Sequence, residues 1–153
     1  MQKLNLPEYQ LNIRNHGDKS EVFDPIRKKY IILTREEWVR QNFIQFLIHE
    51  KGYPASLIAV EKGLKVNRMF RRTDIVLYNS EAKAQIIVEC KAPEVKISQE
   101  TFDQAARYNI SLNVDYLVIT NGLDHYCCQV DSGNKSISFL KEVPNYQDIN
   151  KNG

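Results

Sequence analysis

Cysteine is scarce in this chain, and what there is does not pair off. Cys90 stands alone and Cys127 is adjacent to Cys128, an odd count with no C-x-x-C spacing. That excludes a disulfide framework and predicts a reducing compartment, with the thiols as small buried hydrophobes. Histidine is equally thin. His16, His49 and His125 are scattered, which excludes a zinc site of the usual spacing. No apolar run approaches the ~20 residues of a membrane span. The opening Met1-Gln2-Lys3-Leu4-Asn5 lacks the apolar stretch of a secretory signal. The expectation is a cytoplasmic protein with no membrane partner. There is no internal repeat, linker or low-complexity segment, and a net charge of +2 is too small to point to nucleic acid by itself.

The 153 residues, 42% apolar and 26% charged, suit one globular domain with a substantial core and are too few for two ordinary ones. The distribution of charge says more than its sum. Lys62, Lys65, Arg68, Arg71 and Arg72 fall in one stretch without an acid, and the stretch runs into Asp74. A solvated basic loop is the plain explanation. A positive flank beside an acidic, phosphate-binding site is the functional one, with these five residues as the nucleic-acid contacts. Arg27-Lys28-Lys29 is a smaller basic cluster.

Hydrophobic periodicity divides the rest. Residues 1–33 read as an N-terminal extension of one or two strands, with Tyr30-Ile31-Ile32-Leu33 the best of them. Thr34-x-x-Glu37 is a capping box, and Val39, Phe43, Phe46 and Leu47 recur at helical spacing until Gly52 and Pro54, so a helix is predicted over about 35–51. One long strand, bent at Gly63, is predicted over 57–66, followed by strands over 72–78 and 84–91. A second helix should run from Ser98 to Leu112 with Phe102, Ala105 and Ala106 facing the sheet. Val114–Thr120 is nearly all apolar and reads as a strand buried on both faces, parallel to the one ending at Lys91. A closing hairpin over 124–130 and 136–140 follows, and residues 146–153 are expected to form a disordered tail. The predicted fold class is mixed α/β (α+β): helix, three antiparallel strands, helix, parallel strand, in a mixed sheet of four or five strands flanked by helices.

The most informative feature is Asp74 followed, after fourteen residues, by Glu89-Cys90-Lys91. Side chains alternate along a strand, so Glu89 and Lys91 share one face and Cys90 takes the other. Five turn-forming residues, Asn79 to Lys83, separate the two strands, which predicts an antiparallel hairpin. If its tip is centred between Glu81 and Ala82, residues summing to 163 face each other and Asp74 lies opposite Glu89. Carboxylates that close repel unless a cation or a proton separates them. A divalent ion with a lysine beside it is the productive solution, though a surface ion pair would also account for such a trio.

At this point the chain resembles a known family. Arg72-Thr73-Asp74-Ile75-Val76, Val88-Glu89-Cys90-Lys91-Ala92-Pro93, Phe102-Asp103-Gln104-Ala105-Ala106-Arg107-Tyr108 and Tyr116-Leu117-Val118-Ile119-Thr120-Asn121-Gly122 are similar to the nuclease domain at the N-terminus of type I restriction enzyme motor subunits, within the PD-(D/E)xK phosphodiesterase superfamily. The resemblance covers about residues 34–130, the expected restriction-endonuclease-like core. It implies that Asp74, Glu89 and the Cys90 carbonyl hold Mg²⁺, with Mn²⁺ as a substitute. It implies that Lys91 orients or deprotonates the attacking water, or stabilises charge on the phosphoryl oxygens. Gln104 and Tyr108, at i and i+4, match the Q-x-x-x-Y pair of this branch. Glu37 matches an acid that many members carry on the first helix, although the capping box alone explains it. Two departures stand out: Thr73-Asp74 replaces the Pro-Asp of the superfamily name, and no G-x-x-x-x-G-K-[ST] occurs, so this sequence contains no motor of its own.

The function this implies is metal-dependent hydrolysis of DNA phosphodiesters, endonucleolytic rather than exonucleolytic. DNA would be the partner, together with a helicase, a translocase or other restriction-modification subunits. The alternatives are a catalytically idle nucleic-acid-binding or assembly module on the same scaffold, and an unrelated α/β domain with a chance motif.

Overall fold

A computed structural model describes residues 1–66, 69–131 and 133–150, with side chains for all of these except 64–66, 69–72, 108–112 and 150. The chain opens with a three-stranded antiparallel sheet, β1 (Ile13–His16), β2 (Lys19–Asp24) and β3 (Lys29–Ile32). The expected one or two strands are therefore three. Helix α1 (Arg35–His49) follows. The Thr34 hydroxyl accepts from the Glu37 N–H at 3.0 Å, so the helix starts where its cap predicts. Gly52, at φ +76°, turns the chain away after it.

A 3-10 turn at Ala55–Leu57 leads to β4 (Ile58–Val60), β5 (Gly63–Val66), β6 (Met69–Arg72), β7 (Ile75–Tyr78) and β8 (Ala84–Cys90). Then come α2 (Gln99–Leu112), β9 (Tyr116–Thr120), β10 (His125–Asp131), β11 (Ser136–Leu140) and α3 (Tyr146–Asn150). The main sheet has six strands in the order β11-β10-β9-β8-β7-β4, against the four or five expected. The extra members are the closing hairpin, which extends the sheet. Within it β8 and β9 are parallel, and the other neighbours are antiparallel.

Two further expectations are corrected. The predicted long strand over 57–66 is broken at Glu61, which takes φ +55°. Its second half leaves the main sheet and pairs with β6 as a separate two-stranded ribbon. Asp74 accordingly sits at the bend between β6 and β7 rather than inside a strand. The predicted tail is also partly ordered. Ile149 of α3 is buried, the Tyr146 N–H donates to the Lys51 carbonyl at 2.9 Å, and the Tyr53 hydroxyl donates to the Pro144 carbonyl at 2.8 Å. Apolar burial and backbone hydrogen bonds thus outweigh the polar composition of that segment.

The core explains the consecutive apolar residues Ile86-Ile87-Val88 of β8. Ile86, Val88 and Cys90 join Val39, Phe43 and Leu47 of α1 in one buried cluster, while Ile87 joins Phe102 and Ala106 of α2 in a second. Alternate residues of one strand feed two cores, as a central strand covered on both faces requires. Burying each large side chain is worth roughly 1.5–3 kcal/mol. Helix α2 begins at Ser98, whose hydroxyl accepts from the Thr101 N–H at 3.1 Å. That places Phe102 and Ala106 inward and leaves Gln104 exposed.

Candidate functional site

Strands β7 and β8 are in the register that residues summing to 163 define: Ile75 faces Val88, Val76 faces Ile87, and Leu77 faces Ile86. A bulge shifts the pairing only beyond Leu77. Asp74 is one residue past the end of this ladder. There its Oδ2 accepts the Cys90 N–H at 2.7 Å, fixing the carboxylate beside the end of β8. The next N–H, that of Lys91, turns the other way and donates to the Thr120 carbonyl of β9 at 2.8 Å. The N–H and C=O of one strand residue point to the same side, so the Cys90 carbonyl lies on the Asp74 side. Glu89 and Lys91 are adjacent, with Nζ 3.8 Å from Oε2 and side-chain exposures of 19% and 35%.

The bend that carries Asp74 is built from main-chain bonds. The Glu61 N–H donates to the Asp74 carbonyl, and the Thr73 N–H and hydroxyl both donate to the Lys62 carbonyl, at 2.7–3.0 Å. The β5–β6 ribbon therefore leaves the sheet directly beside Asp74.

One residue that the sequence reading missed organises the site. Arg40, on α1, is only 5% exposed. Its Nη2 lies 2.9 Å from Asp74 Oδ1, 3.1 Å from Glu61 Oε1 and 3.1 Å from Glu36 Oε1. Its Nη1 donates to Glu37 Oε1 in a short bond. Burial alone would lower the pKa of the guanidinium, but Glu37 and Asp74 outweigh it and hold Arg40 charged. The spacing of Glu36 and Glu37 before Arg40 was a visible i, i+4 and i, i+3 signal. The partners Glu61 and Asp74, distant in sequence, left none. The Glu36 carboxyl is pushed above its usual value by burial and by the Asp74 carboxylate, against the pull of Arg40 and Lys91. Burial, then Asp74, pushes the Cys90 thiol well up, which keeps it an uncharged core side chain.

The other candidates are placed differently. Glu37 does not make the reciprocal capping bond to Thr34, whose N–H goes to the Ile32 carbonyl. Its buried carboxylate instead takes Arg40, Arg27 and Gln41, so it touches Asp74 only through Arg40. Gln104 is exposed on α2 and makes no described contact with Asp74 or Glu89, and the Tyr108 side chain lies outside the described residues. Lys62 is exposed, its Nζ 5.2 Å from the centre of the Tyr78 ring. Arg68 and the side chains of Lys65, Arg71 and Arg72 lie outside the described residues. Arg27, from the second basic cluster, is engaged internally with Asp24 and Glu37. Among the described residues no three His, Cys, Asp or Glu side chains form a metal-binding group by themselves, and no helix is long and apolar enough to cross a membrane.

A mixed sheet with α1 on one face, α2 on the other and acids at the end of its central antiparallel pair defines a mixed α/β domain with a restriction-endonuclease-like core. The chain belongs to the family of the type I restriction enzyme R protein N terminus, whose family model matches residues 35–144. A chain described as a fragment of the HsdR subunit of a type I restriction enzyme from Vibrio vulnificus YJ016 superposes with a TM-score of 0.52, at 18% identity, over 75% of this chain. At that identity the likeness is one of fold, and this chain spans 24% of the length of that one. No curated protein matches.

Proposed function

We propose that this protein is a metal-dependent DNA nuclease, hydrolysing phosphodiester bonds at the end of the β7–β8 pair. The observation that carries this reading is the hydrogen bond from the Cys90 N–H to Asp74 Oδ2, which fixes the first acid against the backbone between Glu89 and Lys91.

The donor set suits a hard divalent ion. Asp74, Glu89 and the Cys90 carbonyl are all oxygen ligands, and Mg²⁺ takes few protein ligands because it keeps several waters. The local charge suits one too: Glu36, Glu61 and Asp74 converge on Arg40, and Glu89 lies beside Lys91. Bound there, Mg²⁺ or Mn²⁺ would polarise a non-bridging phosphoryl oxygen and acidify a water.

The chain's own residues do the rest. Lys91, held near Glu89, orients or deprotonates the attacking water, or stabilises the charge that builds on the phosphoryl oxygens as the P–O bond to the leaving group breaks. Glu37 acts through Arg40 rather than at the reacting atoms. Lys62 and the basic ribbon after it flank the phosphates of approaching DNA. Gln104 and Tyr108, the Q-x-x-x-Y pair, are assigned to substrate engagement on the strength of the family resemblance alone. The family places the chain in the context of type I restriction, so we assign DNA as substrate and restriction-modification subunits, a translocase among them, as partners.

Purified protein incubated with supercoiled plasmid and excess Mg²⁺ should convert it to nicked and linear forms. EDTA should stop this, and Lys91→Met should slow it by about 10²–10⁴-fold, the usual range for a proton-transferring group. Cutting that persists in EDTA or survives Lys91→Met would end this reading. Salt-sensitive DNA binding without turnover would favour the idle-module alternative.

A further inference from the structure

The guanidinium of Arg40 carries an uneven load. Nη2 has two N–H bonds, yet three carboxylate oxygens lie within 3.1 Å of it, from Glu36, Glu61 and Asp74. At the other end of the group, Nε is buried and finds no acceptor among the described residues. The side chain is pinned there by Glu37 on Nη1. Three carboxylates thus converge on one nitrogen of a buried side chain. Glu61 adds a second sign of constraint. It reaches this place from a left-handed backbone, φ +55°, a conformation that non-glycine residues hold only when their surroundings impose it.

We infer that Arg40 is a resident counter-cation of the acid cluster and a positioning residue for Asp74. It holds Glu36, Glu61 and Asp74 together in the absence of metal, and it competes with a divalent ion for them. The inference rests on the metal-binding part of the proposed function, not on DNA cleavage. Arg40 weakens metal binding through like-charge repulsion and by occupying Asp74 Oδ1. In return it keeps that carboxylate aimed at the end of β8, so that a weakly bound ion enters a preformed site.

The test is a calorimetric titration of Mn²⁺ into the full chain without DNA, alongside melting curves in EDTA and in Mn²⁺. Arg40→Met should lower the melting temperature in EDTA. It should also tighten Mn²⁺ binding by at least about tenfold, since a full unit charge is removed a few ångströms from the ion. Mn²⁺ should then raise the melting temperature of the variant more than that of the wild type, and Arg40→Lys, which restores the charge, should return the affinity toward the wild-type value. A purely structural arginine would lower the melting temperature without tightening Mn²⁺ binding, and that result overturns the inference. If Arg40→Met does not fold, Glu36→Gln replaces it, at a position whose side chain is 47% exposed. Fewer carboxylates then offset the Arg40 charge, which bears more fully on the ion, and Mn²⁺ should bind severalfold more weakly. An unchanged Mn²⁺ affinity overturns the inference. Wild-type protein that binds Mn²⁺ but cuts no DNA would sink the nuclease reading and leave Arg40's role standing.

Discussion

On one side of Arg40 the carboxylates are saturated; on the other, Asp74 is not. Asp24 is fully buried and accepts four hydrogen bonds, from the N–H groups of Ile26 and Arg27, the Arg27 Nε and the Gln41 amide. Glu37 likewise accepts four, from Arg27 twice, Arg40 and Gln41. Four is about the capacity of a carboxylate. On the outer side, Asp74 accepts two and remains 19% exposed, and Glu36 and Glu61 share a single nitrogen with it. The inner group tethers α1 to the N-terminal sheet and has nothing left to offer a ligand. Asp74, on the outer side, keeps both lone pairs and solvent access. One arginine serves both, which couples the folding of α1 to the geometry of the site.

The contrast can be broken by removing acids from each side in turn. Glu37→Ala should cost the most stability, about 3–5 kcal/mol by denaturant unfolding, because it removes a buried carboxylate that accepts four hydrogen bonds and leaves Arg40 Nη1 without its acceptor. Asp24→Asn comes next. The Asp24 carboxyl is held below its ordinary value: burial would raise it, but the Arg27 and Gln41 bonds and the backbone N–H groups win. A depressed folded pKa contributes stability that is fully present above the unfolded value of about 3.9 and is lost as pH falls through the folded one. The wild type should therefore lose melting temperature steeply below about pH 4, and Asp24→Asn should flatten that limb while starting lower at neutral pH. Glu36→Ala, on the outer side and 47% exposed, should change stability by no more than about 1 kcal/mol. A larger loss at Glu36 than at Glu37 would invert the comparison.

Much of the fold was legible in local chemistry. The Thr34 cap and the Gly52-x-Pro54 stop mark α1, and the apolar run 84–88 predicts a central strand. The short turn after Tyr78 sets the register that brings Asp74 beside the end of β8. The parallel strand after α2 and the closing hairpin follow from the same periodicities. What was hidden depends on contacts distant in sequence. Leu57 to Val66 reads as one strand because nothing in the pattern marks Glu61 as a left-handed break. Arg40 reads as an ordinary polar residue on an amphipathic helix, since its partners at Glu61 and Asp74 meet it only after the ribbon has folded away. The polar C-terminal segment gives no hint that Ile149 is buried. Each omission concerns a place where tertiary contacts override local preference, and two of the three lie at the candidate site.

The account stands on a divalent ion held at the end of β8, and crystals soaked in Mn²⁺ test that most directly. An anomalous difference map should show a peak within bonding distance of Asp74, Glu89 and the Cys90 carbonyl, about 2.0–2.3 Å from each oxygen. Saturating Mn²⁺ that leaves this place empty, or that binds only elsewhere on the chain, would contradict it.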